Sequence, residues 1–197
     1  PVAILLLAAL CLGPLEGAGP DAHWTFDEGG GKTVRDASGN GLDGAVSAAF
    51  APGRFGFALS LDGQSSSLVS VPLPAQRQPG RESWSYSLWL KPASFELNAN
   101  TKERVRRILS LDSWPASFAV LQGDEKGVLV MSMGYKAADG KTGNASVRAK
   151  TALPLNEWTH VALIVDREMR SCRLCLGGKM EAESEIPASF DGKLVSE

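Results

Sequence analysis

The sequence predicts an all-β protein, an antiparallel two-sheet sandwich. Three observations lead there. Nearly every segment after residue 20 places its apolar residues two apart, the period of a strand with one buried face. Turn formers are plentiful, with 21 Gly and 11 Pro in 197 residues, which suits many short strands joined by tight turns. No long stretch has the 3.6-residue period of an amphipathic helix. In such a sheet one face packs on its partner and the other meets solvent.

Length and charge narrow the class. Roughly 100–200 residues make one domain, and a chain of this size buries a core without disulfides or metals. The 44% apolar share is that of a globular chain, not a disordered one. The net charge of −2 comes with no basic run, so nucleic acid is excluded as the expected partner. The opening stretch, Val2 to Leu12, is apolar and about eleven residues long, too short to cross a bilayer and matched to the core of a secretory leader. Pro14 and the small residues Gly17, Ala18 and Gly19 follow it. Residues 1–19 are therefore read as a signal peptide whose basic start is missing, and 20–197 as one domain. That predicts a secreted or cell-envelope protein with no membrane span.

The elements follow in order. Trp24 and Phe26 share one face of a short strand, with Thr25 and Asp27 on the other. Asp36-Ala37-Ser38-Gly39-Asn40-Gly41 is a glycine-rich Asx turn. Phe57, Leu59 and Leu61 alternate with Ala58, Ser60 and Asp62, and Asp62-Gly63 stops that strand. Val69 and Val71 precede Pro72, which ends or edges theirs. Trp84, Tyr86, Leu88 and Leu90 alternate with Ser83, Ser85, Ser87 and Trp89, the cleanest period of two in the chain. Lys102 to Leu109 fits either two helical turns or a strand over Arg107 to Leu111. Val128 and Val130 alternate with Leu129, Met131 and Met133. The mostly apolar Val161–Val165 run predicts a central strand. Leu174 and Leu176 precede the turn Gly177-Gly178.

Four of these blocks, in this order, carry a resemblance. They are Trp24-Thr25-Phe26-Asp27-Glu28 with Asp36–Gly41 and Gly53–Gly63; Ser87-Leu88-Trp89-Leu90-Lys91-Pro92; Glu157-Trp158-Thr159-His160-Val161-Ala162-Leu163-Ile164-Val165-Asp166; and Leu174-Cys175-Leu176-Gly177-Gly178-Lys179. Together the chain resembles the laminin G-like, concanavalin A-like jelly-roll domains over roughly residues 22–180. The resemblance implies a jelly roll and non-catalytic recognition outside the cell, of a glycan or a protein ligand. Cys175 departs from the family's usual aromatic residue, and Gly177 from its usual Asp or Asn. The family's closing strand has no counterpart after Phe190-Asp191-Gly192-Lys193. The expectation is a domain truncated at its C-terminal end, within a longer polypeptide carrying further domains.

Candidate ligand residues are aromatic, because sugars stack their C–H faces on large flat rings. Trp89 faces away from Trp84, Tyr86, Leu88 and Leu90, and is the first candidate; the alternative is that a loop covers it. Trp114, before Pro115, is the second, and Tyr135 the third. A structural calcium ion is the candidate cofactor. It takes about six to eight oxygens, and Asp36 and Asn40 are its candidate ligands; the alternative is that Asp36 caps backbone N–H groups. No catalytic residue is assigned. Glu181, Glu183 and Glu185 share a strand face, but they lack the acidic spacing of the superfamily's glucanases, and a solvated face explains them. The pair Cys172 and Cys175 sits three apart on a strand, so its thiols point to opposite faces. One packed thiol and one exposed or half-buried thiol are expected, not a zinc site. Carbohydrate binding is the expected function. An accessory domain of a larger glycosidase or sialidase, or an adhesive spacer, stands behind it.

Overall fold

The computed structural model describes residues 19–64, 66–74, 82–96, 105–111, 119–136 and 140–190. Residues 1–18, which hold nearly all of the expected leader, and Trp114 lie outside the described residues. The strands in chain order are β1 (Thr33–Val34), β2 (Gly44–Val46), β3 (Ala49–Pro52), β4 (Phe57–Ser60), β5 (Val69–Ser70), β6 (Trp84–Leu90), β7 (Val105–Leu111), β8 (Ala119–Asp124), β9 (Val128–Lys136), β10 (Thr142–Ala152), β11 (Thr159–Asp166), β12 (Ser171–Leu176) and β13 (Lys179–Glu185). No described residue is helical. The all-β class is as the sequence predicts, and β7 resolves the helix-or-strand choice in favour of a strand.

The chain divides into two compact units. The first takes Pro1–Gln78, Tyr86–Ala93 and Leu155–Val161; the second takes Pro79–Ser85, Ser94–Pro154 and Ala162–Glu197. In the first unit β1, β2 and β5 form an antiparallel sheet in the order β1-β2-β5, and β3 pairs with β4 as a hairpin. Their core is Phe26, Val34, Val46, Ala48 and Leu59, with Trp24, Phe50, Leu61 and Val69 packed against it. Full burial of an aliphatic side chain such as Leu59 contributes about 1.5–3 kcal/mol.

Here the strand expected over Trp24 and Phe26 shortens to a single bridge, Trp24 to Asp36. Phe26 has φ 63°, a left-handed conformation that breaks the extended run at a cost of about 1–3 kcal/mol for a bulky residue. Burial of its ring to 3% exposure holds it there. Trp24 closes the same corner by donating its Nε1–H to the Leu42 carbonyl at 2.7 Å. Phe57 also departs from its expected place: it is 43% exposed while Leu59 is fully buried, because β4 begins at Phe57, at the end of the hairpin loop.

In the second unit the sheet runs β10-β9-β8-β7, all pairs antiparallel. Leu129, Met131, Met133 and Tyr135 of β9 and Ala145, Val147 and Ala149 of β10 are buried, while Asn144, Ser146, Arg148 and Lys150 are exposed. β10, which runs from Thr142 to Ala152, has no counterpart among the strands expected from sequence. Its alternation is carried by alanines, which are depleted from strands and give a faint signal. The turn between β8 and β9 is built by Asp124, whose Oδ1 accepts from Lys126 N and Val128 N at 2.9 Å each, and whose carboxylate pairs with Arg148.

A four-stranded sheet runs β13-β12-β11-β6. β11 is an interior strand, as its apolar run predicts, with Val161, Leu163 and Val165 at 2% exposure or less. On β12, Cys172 is buried and Cys175 half-buried, and neither is in a disulfide. Burial pushes the Cys172 thiol up to about 11, with the positive charge of Arg167 pulling the other way.

Candidate functional site

The first unit builds one exposed aromatic and cationic cluster, and the hairpin of β3 and β4 positions it. Pro52 and Phe57 are paired in register, so residues 53–56 form the loop. Gly53 N–H closes it by donating to the Gly56 carbonyl at 2.9 Å. Glycine is required at both ends. A Cβ on Gly53 would stand 2.6 Å from the Phe57 carbonyl oxygen, and Gly56 has φ 53° with the Asp27 carboxylate against it. Asp27 Oδ1 in turn accepts from Phe57 N at 3.3 Å. The loop is thus held by its backbone, and the side chains of Arg54 and Phe55 are left to project from the tip.

What they meet is Trp89. On β6 Leu88 and Leu90 are 1% exposed, so the alternation of the strand sends Trp89 to the opposite face, as the sequence predicts. That face is not bare. The Arg54 guanidinium carbon lies 3.8 Å from the centre of the Trp89 ring and 5.3 Å from that of Phe55. Phe55 stands edge-on to Trp89, with centroids 6.4 Å apart and planes at 79°. The buried His160 packs against the same indole at 5.1 Å and 57°. Trp89 is therefore the floor of a stack rather than an open platform. Phe55, 57% exposed, is the ring that faces solvent. Trp89 Nε1–H is buried and has no hydrogen-bond acceptor.

Sequence reasoning named Trp89 as a candidate, with a covering loop as the alternative. It did not name Arg54 and Phe55, although both stand in the Gly53–Gly63 block that carries the resemblance. A tight Gly-x-x-Gly loop presenting a cation beside an aromatic was the available signal.

The other expected residues lie elsewhere. Tyr135, in the second unit, is buried at 6% exposure. Its hydroxyl is 2.9 Å from Ser189 Oγ, and its ring packs on Phe190 at 4.9 Å, which is itself covered by Arg167 at 4.1 Å. This is an interior cluster, and Tyr135 has no open ring face for a ligand.

The donor set expected for calcium does not fit the ion as placed. Asp36 Oδ1 accepts from His23 N and Ser38 N, both at 2.9 Å, and Oδ2 from Ser38 Oγ at 2.8 Å and Leu42 N at 3.0 Å. Two donors on each oxygen fill the roughly four lone-pair positions of a carboxylate. Burial alone would raise the Asp36 pKa, but the bonds from His23, Ser38 and Leu42 outweigh it and hold it at about 2. Asn40 points its amide N–H group at the Asp21 carbonyl and Ser38 Oγ, a donor arrangement. Among the described residues no group of three or more His, Cys, Asp or Glu side chains is placed to hold a metal.

Two of the three glutamates of β13 hold structural partners, and Glu185 is exposed. Glu181 Oε1 accepts from Lys150 N, Thr151 N and Thr151 Oγ1, at 3.0, 2.6 and 2.9 Å, and Glu183 accepts from Arg173 Nε at 2.8 Å. The Thr151 hydroxyl and the Arg173 guanidinium are the main forces holding their pKa values below the ordinary one. A general acid needs the opposite shift.

Fold and sequence together define the class. The chain belongs to the concanavalin A-like lectin/glucanases superfamily, whose laminin G-type sequence profile (Laminin_G_3) matches residues 62–194. Its jelly-roll fold is similar to the binding domain of Paraclostridial Mosquitocidal Protein 1, at 19% identity and a TM-score of 0.60 over 80% of this chain and 38% of that one. It is also similar to the botulinum neurotoxin serotype C1 binding domain, at 15% identity and a TM-score of 0.57 over 82% of this chain and 38% of that one. The chain thus spans well under half the length of either structure. No curated protein matches it at a significant level. The profile begins at residue 62, after the Arg54–Phe55 loop.

Proposed function

We propose that the chain is a non-catalytic carbohydrate-recognition module of an exported protein, and that it binds through the hairpin tip of the first unit. The observation that carries this is Phe55: a large apolar ring, more than half exposed, oriented by Arg54 and Trp89. An ordered aromatic loses little entropy on binding and offers the stacking surface that sugar C–H faces need. Membership of a lectin-containing superfamily supports the reading. So does the likeness to two structures that are binding domains by name. The depressed carboxylates of β13 argue against glycosidase chemistry in this chain. Among the described residues no helix is long and apolar enough to cross a membrane.

The test is a glycan-array screen of the wild type and of Phe55→Ala, with Met169→Ala as control. Met169 is exposed but belongs to the second unit. The expected result is binding by the wild type and the control, and its loss in Phe55→Ala at an unchanged melting temperature. A folded wild type that binds no glycan, or a Phe55→Ala variant that binds as before, overturns the reading.

A further inference from the structure

The polar groups of the hairpin-tip stack specify the charge of what it binds. Arg54 is exposed and forms no hydrogen bond or ion pair with any described residue. Its guanidinium sits over Trp89 and beside Phe55 through ring contacts alone. That leaves its five N–H donors, set in a rigid plane, without an acceptor among the described residues. The Asp27 carboxylate, which lies against the loop, is engaged by Phe57 N–H and does not pair with Arg54. The stack therefore offers donors, a positive charge and an apolar ring.

We infer that the ligand is an acidic saccharide, and that its carboxylate is received by Arg54 beside a sugar ring stacked on Phe55. The inference rests on the carbohydrate reading above. A planar guanidinium matches a carboxylate by two parallel N–H···O bonds, which are stronger than neutral ones. Stacking on Trp89 restricts the Arg54 side chain before the ligand arrives, so less entropy is lost when the bonds form. The geometry also assigns separate roles. Phe55 supplies contact area that any sugar face can use, and Arg54 supplies the distinction between an acid and its neutral counterpart.

The experiment uses matched pairs of oligosaccharides: galacturonate, glucuronate and mannuronate oligomers, and the methyl ester of each. Binding to the whole chain is measured by calorimetry at low and at moderate salt. At least one acid is expected to bind roughly tenfold more tightly than its ester, as one charge-assisted pair provides. The preference is expected to shrink as salt rises. In Arg54→Gln the acid's affinity falls toward the ester's, while the melting temperature reports that the fold is intact. Equal binding of acid and ester, or an acid preference that survives in Arg54→Gln, overturns the acidic-ligand inference and leaves the carbohydrate reading standing. No binding to any member of the acid and ester pairs, together with no binding on the broader array, overturns both.

Discussion

Arg54 sits over Trp89, with 3.8 Å between the guanidinium carbon and the ring centre. Residues 35 positions apart in sequence thus make one unit of a loop side chain and a strand side chain. The contact is exposed on the Arg54 side, where a cation–π pair contributes about 0.5–1 kcal/mol. A double-mutant cycle of Arg54→Ala and Trp89→Leu should return a coupling energy of that size from thermal or urea unfolding. Uncovering the indole should also shift Trp89 fluorescence to longer wavelength in Arg54→Ala. A coupling near zero would mean that the stack does not persist in solution.

Gly53 and Gly56 govern whether that stack can form. Gly53→Ala places a methyl group 2.6 Å from the Phe57 carbonyl oxygen, which is backbone and cannot swing aside. The loop must open, at a cost of roughly 1–3 kcal/mol. The expected outcome is a lower melting temperature and loss of the Arg54–Trp89 coupling. Gly31→Ala meets no neighbouring atom within 4 Å. Its left-handed backbone still makes it destabilising, but the Arg54–Trp89 coupling should be kept.

Asp36 links stability to acid. Its pKa in the folded protein is about 2, against an ordinary value of 3.8. The folded state therefore favours the ionised form. Its contribution is complete above the ordinary value and is lost as pH falls toward and through 2. Asp36→Asn keeps the shape but turns an N–H group toward Leu42 N and Ser38 Oγ. It should destabilise by about 1–3 kcal/mol at neutral pH and flatten the stability profile between pH 4 and 2. Unfolding followed by circular dichroism across that window measures both effects.

A chelator distinguishes the two uses of the same turn. With Asp36 saturated by four donors, EDTA should leave the melting temperature where it was. An ion bound only by the folded state would raise that temperature in proportion to its occupancy. A drop on chelation would mean that the Asp36 carboxylate serves a metal as well as the backbone, and the capping role would have to give way.

The thiols of β12 should differ in reactivity. Cys172 is fully buried and its pKa is pushed up to about 11, so at pH 8 it carries almost no thiolate and no reagent reaches it. Iodoacetamide should modify the half-buried Cys175 first, and Cys172 only at the rate of unfolding. Because the folded pKa is raised above the ordinary 9.0, the thiol's contribution is complete below pH 9 and is lost as pH climbs through 11. Peptide mapping after timed alkylation reads the order directly.

Much of the fold was legible because burial writes itself into alternation. Leu88 and Leu90 on β6, and Val161, Leu163 and Val165 on β11, are apolar where they are buried and large enough to be conspicuous. β10 escaped because its buried positions are Ala145, Val147 and Ala149, and alanine reads equally well as loop or helix. Trp24–Phe26 misled for another reason: its apolar spacing was real, but the left-handed Phe26 spends that burial at a corner. The site was the least legible part. Periodicity placed Trp89 on the correct face, yet what covers a face depends on a loop that pairs far away in sequence. Likewise Tyr135 is enclosed by Ser189 and Phe190, more than fifty residues away in sequence.

The Arg54–Phe55 tip is held by Gly53, Gly56 and Asp27, and by no side chain of its own. Identity and support are therefore separable at two adjacent positions. Divergence there can change what the surface accepts without a matching change in the sheets. On the proposed reading, related chains that keep Gly53, Gly56 and Asp27 can exchange one specificity for another, and the same two positions are a natural place to begin a randomised library.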